Sequence, residues 1–466
     1  MSGASHFSKT TGLNHSNRSL LQQSKEPAPA PFQKSLAQIA LDVAVILFFL
    51  LHLQVFVSLP VKFAGGPVPG LGFVWMFGSI LSIGLALIKP VRTIGFAVAI
   101  LPFVAICMWA YLSFTWSIDP IETLRGTTFM TCSLIGACAI AALLTWEQII
   151  ARVTIILGVL VIVSIGLAVG MPSIGQMHEA ELAGSWSGVW VEKQAMGMYA
   201  ALLILAVITN VLGNRKNWPS LVLIPIGVLA IIGTTGKTAV LMSMMGVAVL
   251  VTGWLVQREA RIAIATLWSS LIIGSVTTYA LTLGKDQIFR LLGKSPDFTG
   301  RTTVWREIEF VANKKPMTGY GFNTVWKDQK SLDGPYQWIA NGTDFFPQNA
   351  HSSWLDTKLQ LGMPGLILLV VAMGFAWLVT LIHLRRGGVG ALFALSCLAT
   401  FTLISFTESI LVSKMDMPWM LVMLFTSKMV WEIFHPNEAQ ASVQPLVRPP
   451  PRTYYNEPFT YPAPPT

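Results

Sequence analysis

Long apolar runs separated by short polar segments repeat along most of the chain. A helix that crosses a membrane needs about 20 mostly apolar residues, and the runs are close to this length. Two of them are separated only by Gly236, which predicts a tight helical hairpin at that residue. The pattern therefore predicts an all-α polytopic membrane protein with about twelve transmembrane helices. The predicted spans are 38–59, 71–88, 95–114, 127–145, 149–170, 194–213, 219–235, 237–256, 262–283, 362–383, 389–407 and 418–434.

Three longer polar segments flank or interrupt these spans. Residues 1–37 are rich in Ser, Asn, Gln and Lys, and this composition predicts a disordered tail. Residues 436–466 are rich in proline, which favours an extended polyproline II tail. Between the tails, 38–435 is expected to form one transmembrane domain. Its loop 284–361 is too long for a simple connection and lacks the composition of a disordered segment, so it predicts a small folded subdomain.

The distribution of lysine and arginine among the short loops predicts the orientation of the chain. If the N-terminus is cytoplasmic, the short inner loops hold more Lys and Arg than the short outer loops, as the positive-inside rule requires. Both termini are therefore expected in the cytoplasm, and the long loop 284–361 is expected at the outer face.

Composition excludes an ordinary soluble protein. Hydrophobic residues make up 53% of the chain and charged residues 11%, whereas soluble domains carry about 25% charged residues. The formal net charge of +9 is typical of basic cytoplasmic loops in a membrane protein, and no nucleic-acid partner is expected. All four cysteines lie inside apolar runs, which indicates buried thiols rather than a disulfide framework or a zinc site.

The long loop contains the first candidate site residue, Arg301, beside a flexible glycine. Apolar positions after it repeat at helical spacing, which predicts a short amphipathic helix over 302–313 that ends before Pro316. A guanidinium beside the free N–H groups of a helix N-terminus suits a phosphate or diphosphate. A surface arginine in an ion pair is the ordinary alternative.

The second candidate is His351, further along the same loop. Ser353 and Asp356 have the spacing of a capping box, so His351 is expected just ahead of a helix N-terminus. The macrodipole disfavours a charged imidazolium there, and a neutral imidazole near pH 7 can act as a general base. A structural histidine bonded to the backbone is the alternative.

Further charged residues lie at the outer ends of several predicted spans: Arg125, Lys193, Lys237 and Glu408. Each can be an ordinary interface anchor, but charges at separate boundaries can also converge on one outward-facing cavity. The sequence contains no Asp-x-Asp motif and no His/Cys cluster with metal-ligand spacing, so neither a metal nor another cofactor is expected.

Taken in order, these motifs resemble the O-antigen ligase and polymerase superfamily, and within it the exopolysaccharide polymerases. The resemblance covers about residues 40–435. Many relatives have His-Lys-Asn where this chain has Glu192-Lys193-Gln194, and His-Asn where it has His351-Ser352. The matching segments are Trp116-Ser117-x-Asp119-Pro120 with Arg125, Gly188 to Gly197 with Lys193, Gly236-Lys237-Thr238, Gly300-Arg301-Thr302-x-x-Trp305, Pro316-x-x-Gly319-Tyr320-Gly321, Ala350-His351-Ser352 and Thr407-Glu408-Ser409.

The resemblance implies a GT-C-like, metal-independent, inverting glycosyltransferase in the bacterial inner (plasma) membrane. Its donor would be a glycan carried by undecaprenyl diphosphate at the periplasmic face, and its acceptor a glycan or lipid A–core. The enzyme would be surrounded by membrane lipids, and a flippase and a chain-length regulator would be its protein partners. The resemblance assigns acceptor activation to His351 and diphosphate binding to Arg301. It assigns further substrate contacts to Arg125, Lys193, Lys237, Trp305, Tyr320 and Glu408.

Three functions remain open from the sequence. A polymerase that joins lipid-linked repeat units into exopolysaccharide or O-antigen is the leading interpretation, on the overall resemblance and the hairpin at Gly236. A ligase that moves finished glycan onto lipid A–core shares the donor chemistry and differs only in its acceptor. A flippase or transporter of the same lipid-linked sugars is less favoured, because transporters concentrate polar residues within their spans, whereas here they gather at the outer ends.

Overall fold

The computed structural model describes residues 36–179, 182–258, 301–329, 331, 333–343 and 347–436, together with 261, 265 and 269. The chain divides into two compact units at residues 43 and 44. The first contributes only residues 36–43 to the described part, and the second contains nearly all of the helices. Both predicted tails, apart from residues 36, 37 and 436, lie outside the described residues. So does most of the predicted span 262–283, and the long loop up to residue 300.

Helices dominate the described residues, and the single β contact among them is an isolated bridge between Gln176 and Trp186. Every predicted span within the described part has a helical counterpart, so the prediction of an all-α polytopic membrane protein is confirmed. The α-helices of seven or more residues in the described part are α1 (Leu36–His52), α2 (Val55–Ala64), α3 (Gly72–Ile88), α4 (Pro90–Val98), α5 (Leu101–Leu112), α6 (Pro120–Leu143), α7 (Trp146–Gly170), α8 (Lys193–Gly213), α9 (Leu223–Gly233), α10 (Lys237–Val256), α11 (Arg301–Ala312), α12 (Pro335–Asn341), α13 (Ser353–Leu384), α14 (Val389–Ile404) and α15 (Met417–Phe434).

The number of membrane crossings is less simple than the sequence pattern suggests. Among the described residues, six helices are long and apolar enough to cross a membrane, and eight spans result if each of two bent pairs counts as one. The first pair, α1 and α2, bends by 54° at Gln54, whose φ is +57°. The second pair, α3 and α4, bends by 107° at Lys89, because the residue before Pro90 disfavours the helical conformation. The total of twelve spans stays a prediction.

The described part of the long loop packs around its own hydrophobic core. The predicted helix over 302–313 is confirmed as α11, and its buried face forms one side of this core. Burial of a contiguous apolar cluster provides the main stabilisation of such a unit. The core residues are Val304, Ile308, Val311, Ala312, Tyr320, Val325, Tyr336, Ile339, Ala340, Ala350 and Leu359.

A break in α13 joins this loop to the helical bundle. Gly362 has φ +69° and ψ −170°, a conformation that only glycine adopts readily, and it interrupts the helix. The segment 316–321 lies along the break: the N–H of Met363 donates to the Pro316 carbonyl at 2.7 Å, and that of Gly321 to the Gln360 carbonyl at 2.9 Å. The close approach explains the glycine, because a Cβ on Gly362 would lie 2.5 Å from the backbone of Met317.

Candidate functional site

A cavity of about 290 Å³ lies where α8 and α15 begin, α14 ends and α1 meets α2. Its lining includes three carboxylates and no lysine or arginine, and it is called the acidic cavity here. Trp190, Tyr199 and Asn349 add aromatic and amide groups to the wall. The volume is at the lower end of the range of small-molecule sites. The carboxylates are Glu192, Glu408 and Asp416.

Glu408 connects the two residues that the sequence identifies as the main candidates. Its Oε1 lies 2.8 Å from Nη2 of Arg301, and its Oε2 lies 3.2 Å from Nδ1 of His351. The three side chains are only 10–21% exposed, with Glu408 the most buried. Nη1 of Arg301 also donates to the Thr407 carbonyl at 2.6 Å. The carboxylate therefore holds the guanidinium and the imidazole on opposite oxygens.

The arrangement determines which histidine nitrogen is available for chemistry. An ionised carboxylate only accepts hydrogen bonds, so the proton of a neutral His351 belongs on Nδ1, and Nε2 keeps its lone pair. Among the residues that the structure describes, Nε2 of His351 forms no hydrogen bond. An oriented imidazole with a free lone pair is what a general base requires.

The backbone around His351 is specified by its neighbours. His351 has φ +46°, an uncommon value for a non-glycine residue, and its N–H donates to Oδ1 of Asn349 at 2.8 Å. Nε1 of Trp305 donates to the Ala350 carbonyl at 3.0 Å, which joins α11 to this turn. Trp305 thus supports the His351 turn directly, and the substrate contact assigned to it stays a prediction.

The capping box proposed for Ser353 and Asp356 is wrong, because the helix begins one residue earlier. Ser352 is the N-cap, and its Oγ accepts from the N–H of Leu355 at 3.5 Å. The Ser353 hydroxyl instead organises the segment that contains Glu408. It donates to the Glu408 carbonyl at 2.8 Å and accepts from the N–H of Ile410 at 2.9 Å. Ser353 thereby positions the bridging carboxylate.

A second carboxyl group, Glu192, shares the electrostatic environment of this triad. Burial raises the pKa of Glu192 above its usual range, and the charge of Glu408 raises it further. The nearby charges of His351 and Arg301 act in the opposite direction. In the sequence, Glu192 stands where many members of the family have histidine, and in the structure it lines the acidic cavity.

Arg125 lies in a different cluster from Arg301. Its guanidinium pairs with Glu122, one turn earlier in α6, and the same Glu122 also pairs with Lys327 of the loop. The Arg125 side chain is 53% exposed, so this pair contributes little to stability. The diphosphate contact assigned to Arg125 stays a prediction, and its contacts do not join it to the Arg301–Glu408–His351 triad.

Lys193 and Lys237 both lie beside the hairpin at Gly236. Nζ of Lys193 donates to Ser185 and Thr235 at 3.3 Å each, and Lys237 begins α10 directly after the hairpin. Lys193 follows Glu192 of the acidic cavity, but neither lysine lines that cavity. Their roles in substrate binding remain predictions.

Tyr320 lies in the core of the loop. It is 2% exposed, and its hydroxyl donates to the Val311 carbonyl at 3.0 Å. It lines neither the acidic cavity nor the smaller neighbouring cavity. These contacts account for a packing role and give no support to the substrate contact predicted for it.

Two cavity residues had no signal in the sequence. Gln54 lies at the bend between α1 and α2, and its side-chain amide donates to Asp416, which precedes α15. In the sequence, Gln54 falls within the predicted span 38–59 and Asp416 lies just before the predicted span 418–434, so neither stands out as a site residue. Within the described ranges, no group of three or more His, Cys, Asp or Glu side chains is arranged to hold a metal ion. The expectation of no cofactor stays a prediction.

Comparison with known proteins agrees with this picture. Residues 221–370 match the family model described as O-Antigen ligase. The chain is also 24% identical over 311 residues to the exopolysaccharide production protein ExoQ of Rhizobium meliloti (strain 1021), an alignment that covers 62% of this chain and 67% of that protein. The matched range includes Arg301, Tyr320 and His351. Together with the helical membrane fold, these two similarities support an O-antigen ligase/polymerase-like family for this chain.

Proposed function

We propose that this protein is a glycosyltransferase that polymerises lipid-linked saccharide units into exopolysaccharide or O-antigen. The observation that carries the proposal is the Glu408 carboxylate, which orients His351 and pairs with Arg301. Of these three residues, Glu408 is the one that lines the acidic cavity, and the other two reach it through their contacts with this carboxylate. The similarity to an exopolysaccharide production protein favours the polymerase among the functions open to this family.

In the proposed reaction, the donor is a glycan attached through its anomeric carbon to undecaprenyl diphosphate. An acceptor hydroxyl gives its proton to Nε2 of His351 while its oxygen forms a bond with that carbon. The bond between the anomeric carbon and the phosphate oxygen breaks, and the lipid diphosphate leaves with the bonding electrons. A single displacement of this kind inverts the anomeric configuration. Glu408 stabilises the imidazolium that forms, as the carboxylate of a catalytic triad does.

In this proposal, Arg301 also stabilises the leaving diphosphate. A guanidinium carries five N–H donors, so the bonds to Thr407 and Glu408 leave donors that can meet an oxygen of the leaving diphosphate. Fixed cations at a developing negative charge are among the larger contributions to catalysis. The proposal uses side-chain cations for this purpose and involves no metal ion. It places the site at the periplasmic face of the inner membrane, with both termini in the cytoplasm.

The test is a transfer assay with purified full-length protein and undecaprenyl-diphosphate-linked repeat units. The variants Arg301→Ala and His351→Ala are expected to lose transfer while remaining folded. Matched controls are Arg306→Ala, an exposed arginine on the same helix, and His178→Ala, an exposed histidine bonded to the Ser173 carbonyl. Full activity of either site variant would refute the proposed roles.

A ligase is the second candidate, and the description of the matching family model favours it. The same assay separates the two functions through the acceptor. A ladder of products without lipid A–core indicates a polymerase, whereas one product that requires lipid A–core indicates a ligase. A flippase and a chain-length regulator are the protein partners expected of a polymerase. They can be sought by co-purification from the native membrane.

A further inference from the structure

A second, smaller cavity of about 150 Å³ lies next to the acidic cavity. Asn349 and Ser409 line both cavities and form part of the wall between them. The second cavity has the opposite charge character, because two lysines and one carboxylate line it, and it is called the lysine cavity here. Its lining residues are Phe322, Asn323, Trp326, Lys327, Asn349, Asp356, Gln360, Ser409, Leu411, Val412, Ser413 and Lys414.

The size and wall chemistry of the lysine cavity fit a saccharide. An engineered cavity of 150 Å³ in another protein accommodates a six-membered ring, so one sugar ring is of the right order. Nε1 of Trp326 donates to Asp356 at 2.8 Å, and Nε2 of Gln360 donates to the same oxygen at 2.7 Å. These bonds fix an indole ring beside carboxylate and amide groups, and amphipathic surfaces of this kind can contact both the C–H face and the hydroxyls of a sugar.

Two residues of this wall retain features that packing does not explain. The buried Nδ2 of Asn323 has no hydrogen-bond partner among the described residues. Asn323 and Val412 both have positive φ, +62° and +50°, and such values are strained for a β-branched residue in particular. An unsatisfied buried amide and strained backbone are more often found at functional sites than in ordinary cores.

Lys414 is the residue that gives the lysine cavity its charge preference. Its Nζ lies 4.9 Å from the centre of the Trp75 ring, and among the described residues it forms no ion pair with a carboxylate. Burial lowers the pKa of Lys414 to about 8, and the charge of Lys327 lowers it further, while Asp416 and Glu122 oppose the shift. A partly buried ammonium without a carboxylate partner gains more from a bound anion than a fully exposed one does.

We propose that the lysine cavity is a second glycan subsite that binds an oxyanion-bearing part of the substrate. The oxyanion is either the carboxylate of an acidic sugar or the diphosphate of the lipid carrier, since both offer the same acceptor oxygens to Lys414 and Lys327. The interior of the acidic cavity, which no lysine or arginine lines, is better suited to a neutral or cationic sugar. The two cavities would therefore hold differently charged parts of the two substrates on either side of Asn349. This inference rests on the proposed function.

The experiment measures binding without turnover, by isothermal titration of the purified full-length protein in nanodiscs at pH 7. The probes are methyl β-glucuronide, its neutral match methyl β-glucoside, and farnesyl diphosphate. We expect at least one anionic probe to bind about tenfold or more tighter than the glucoside, because charge-assisted hydrogen bonds are the strong ones. Preference for the glucuronide identifies an acidic sugar as the source, and preference for farnesyl diphosphate identifies the lipid carrier.

Substitutions of its two lysines test whether the anionic probe binds in the lysine cavity. Lys414→Gln is expected to abolish the preference for the anion, Lys414→Arg to restore it, and Lys327→Gln to weaken it. Lys327 is 40% exposed, so its replacement carries little risk to folding and keeps the test decisive if the Lys414 variants misfold. Lys216→Gln, at an exposed lysine three residues after the end of α8, is the matched control. Equal binding of all three probes, or an anion preference that survives both Gln variants, would overturn the proposal.

The pH dependence gives an independent readout. The affinity for the anionic probe is expected to fall about tenfold between pH 7 and pH 9, as Lys414 loses its proton near pH 8. His351→Ala separates this inference from the proposed reaction, because it should abolish transfer and leave anion binding unchanged. Wild-type protein that binds the anion as expected but transfers no glycan would contradict the proposed function and leave this inference standing.

Discussion

Replacing Glu408 with glutamine tests the central geometry of the site. The two carboxylate oxygens serve different partners, with Arg301 at 2.8 Å and His351 at 3.2 Å. Arginine only donates hydrogen bonds, so the amide oxygen of a glutamine must face Arg301, and its NH₂ group must face Nδ1 of His351. Nδ1 then has to accept, and the imidazole proton moves to Nε2. The variant keeps the shape of the site and removes the lone pair that would take the acceptor proton.

The size of the effect follows from the role of the base. A positioned general base contributes about 10²- to 10⁴-fold, and the equivalent carboxylate-to-amide change in a catalytic triad lowers kcat by about 10⁴-fold. We expect Glu408→Gln to lower kcat by about 10²- to 10⁴-fold. The effect on stability should be smaller, because the glutamine amide keeps a hydrogen bond to Arg301 and one to His351. Each bond loses only the share of its strength, out of about 1.5–3 kcal/mol for a bond to a charged group, that the carboxylate charge supplies.

The assay is the initial rate of glycan transfer by purified protein, measured across pH and accompanied by thermal unfolding. Glu307→Gln is the matched control, since Glu307 on α11 pairs with the exposed Arg306. A Glu408→Gln variant that keeps more than about a third of the kcat, with an unchanged pH profile, would refute the role of the carboxylate in orienting His351.

Two further predictions concern stability. Gly362→Ala should lower the free energy of unfolding by about 2–4 kcal/mol, measured in detergent, because a Cβ at φ +69° would lie 2.5 Å from the Met317 backbone. Gly374→Ala is the control, since no atom lies within 4 Å of the Cβ position at Gly374. Glu192→Gln should raise Tm at pH 7. Burial raises the pKa of Glu192 in the folded protein, so just above pH 4.5 the native state binds more protons than the unfolded state does. The stability of the wild type therefore falls as the pH rises through the folded-state pKa of Glu192. The Tm difference between Glu192→Gln and the wild type should disappear at acidic pH, and a difference that grows on acidification would contradict the assignment.

Much of the architecture follows from local sequence. The apolar runs determine where helices form, since every predicted span in the described part has a helical counterpart, and helical spacing locates α11 to within one residue. Local patterns fail where backbone conformation depends on neighbours. The bend at Gln54 and the start of α13 at Ser353 rather than one residue later are examples. Ser352 takes the N-cap position, while the Ser353 hydroxyl is bonded to the Glu408 segment, 55 residues away.

The candidate site, like the fold, is predicted in part from the sequence and determined in part only by the tertiary structure. Residue type and motif order identify Arg301, His351 and Glu408 as candidates, because charges at the ends of apolar spans are conspicuous in a sequence with 11% charged residues. Sequence cannot show that Glu408 joins the other two, which lie 107 and 57 residues before it. Nor can it separate Arg125 and Tyr320 from this group, or bring Lys327 and Lys414 to one cavity wall. Side-chain chemistry and periodicity are local properties of the chain, whereas the pairing of charges depends on how the helices and the long loop pack, and only the tertiary structure decides that.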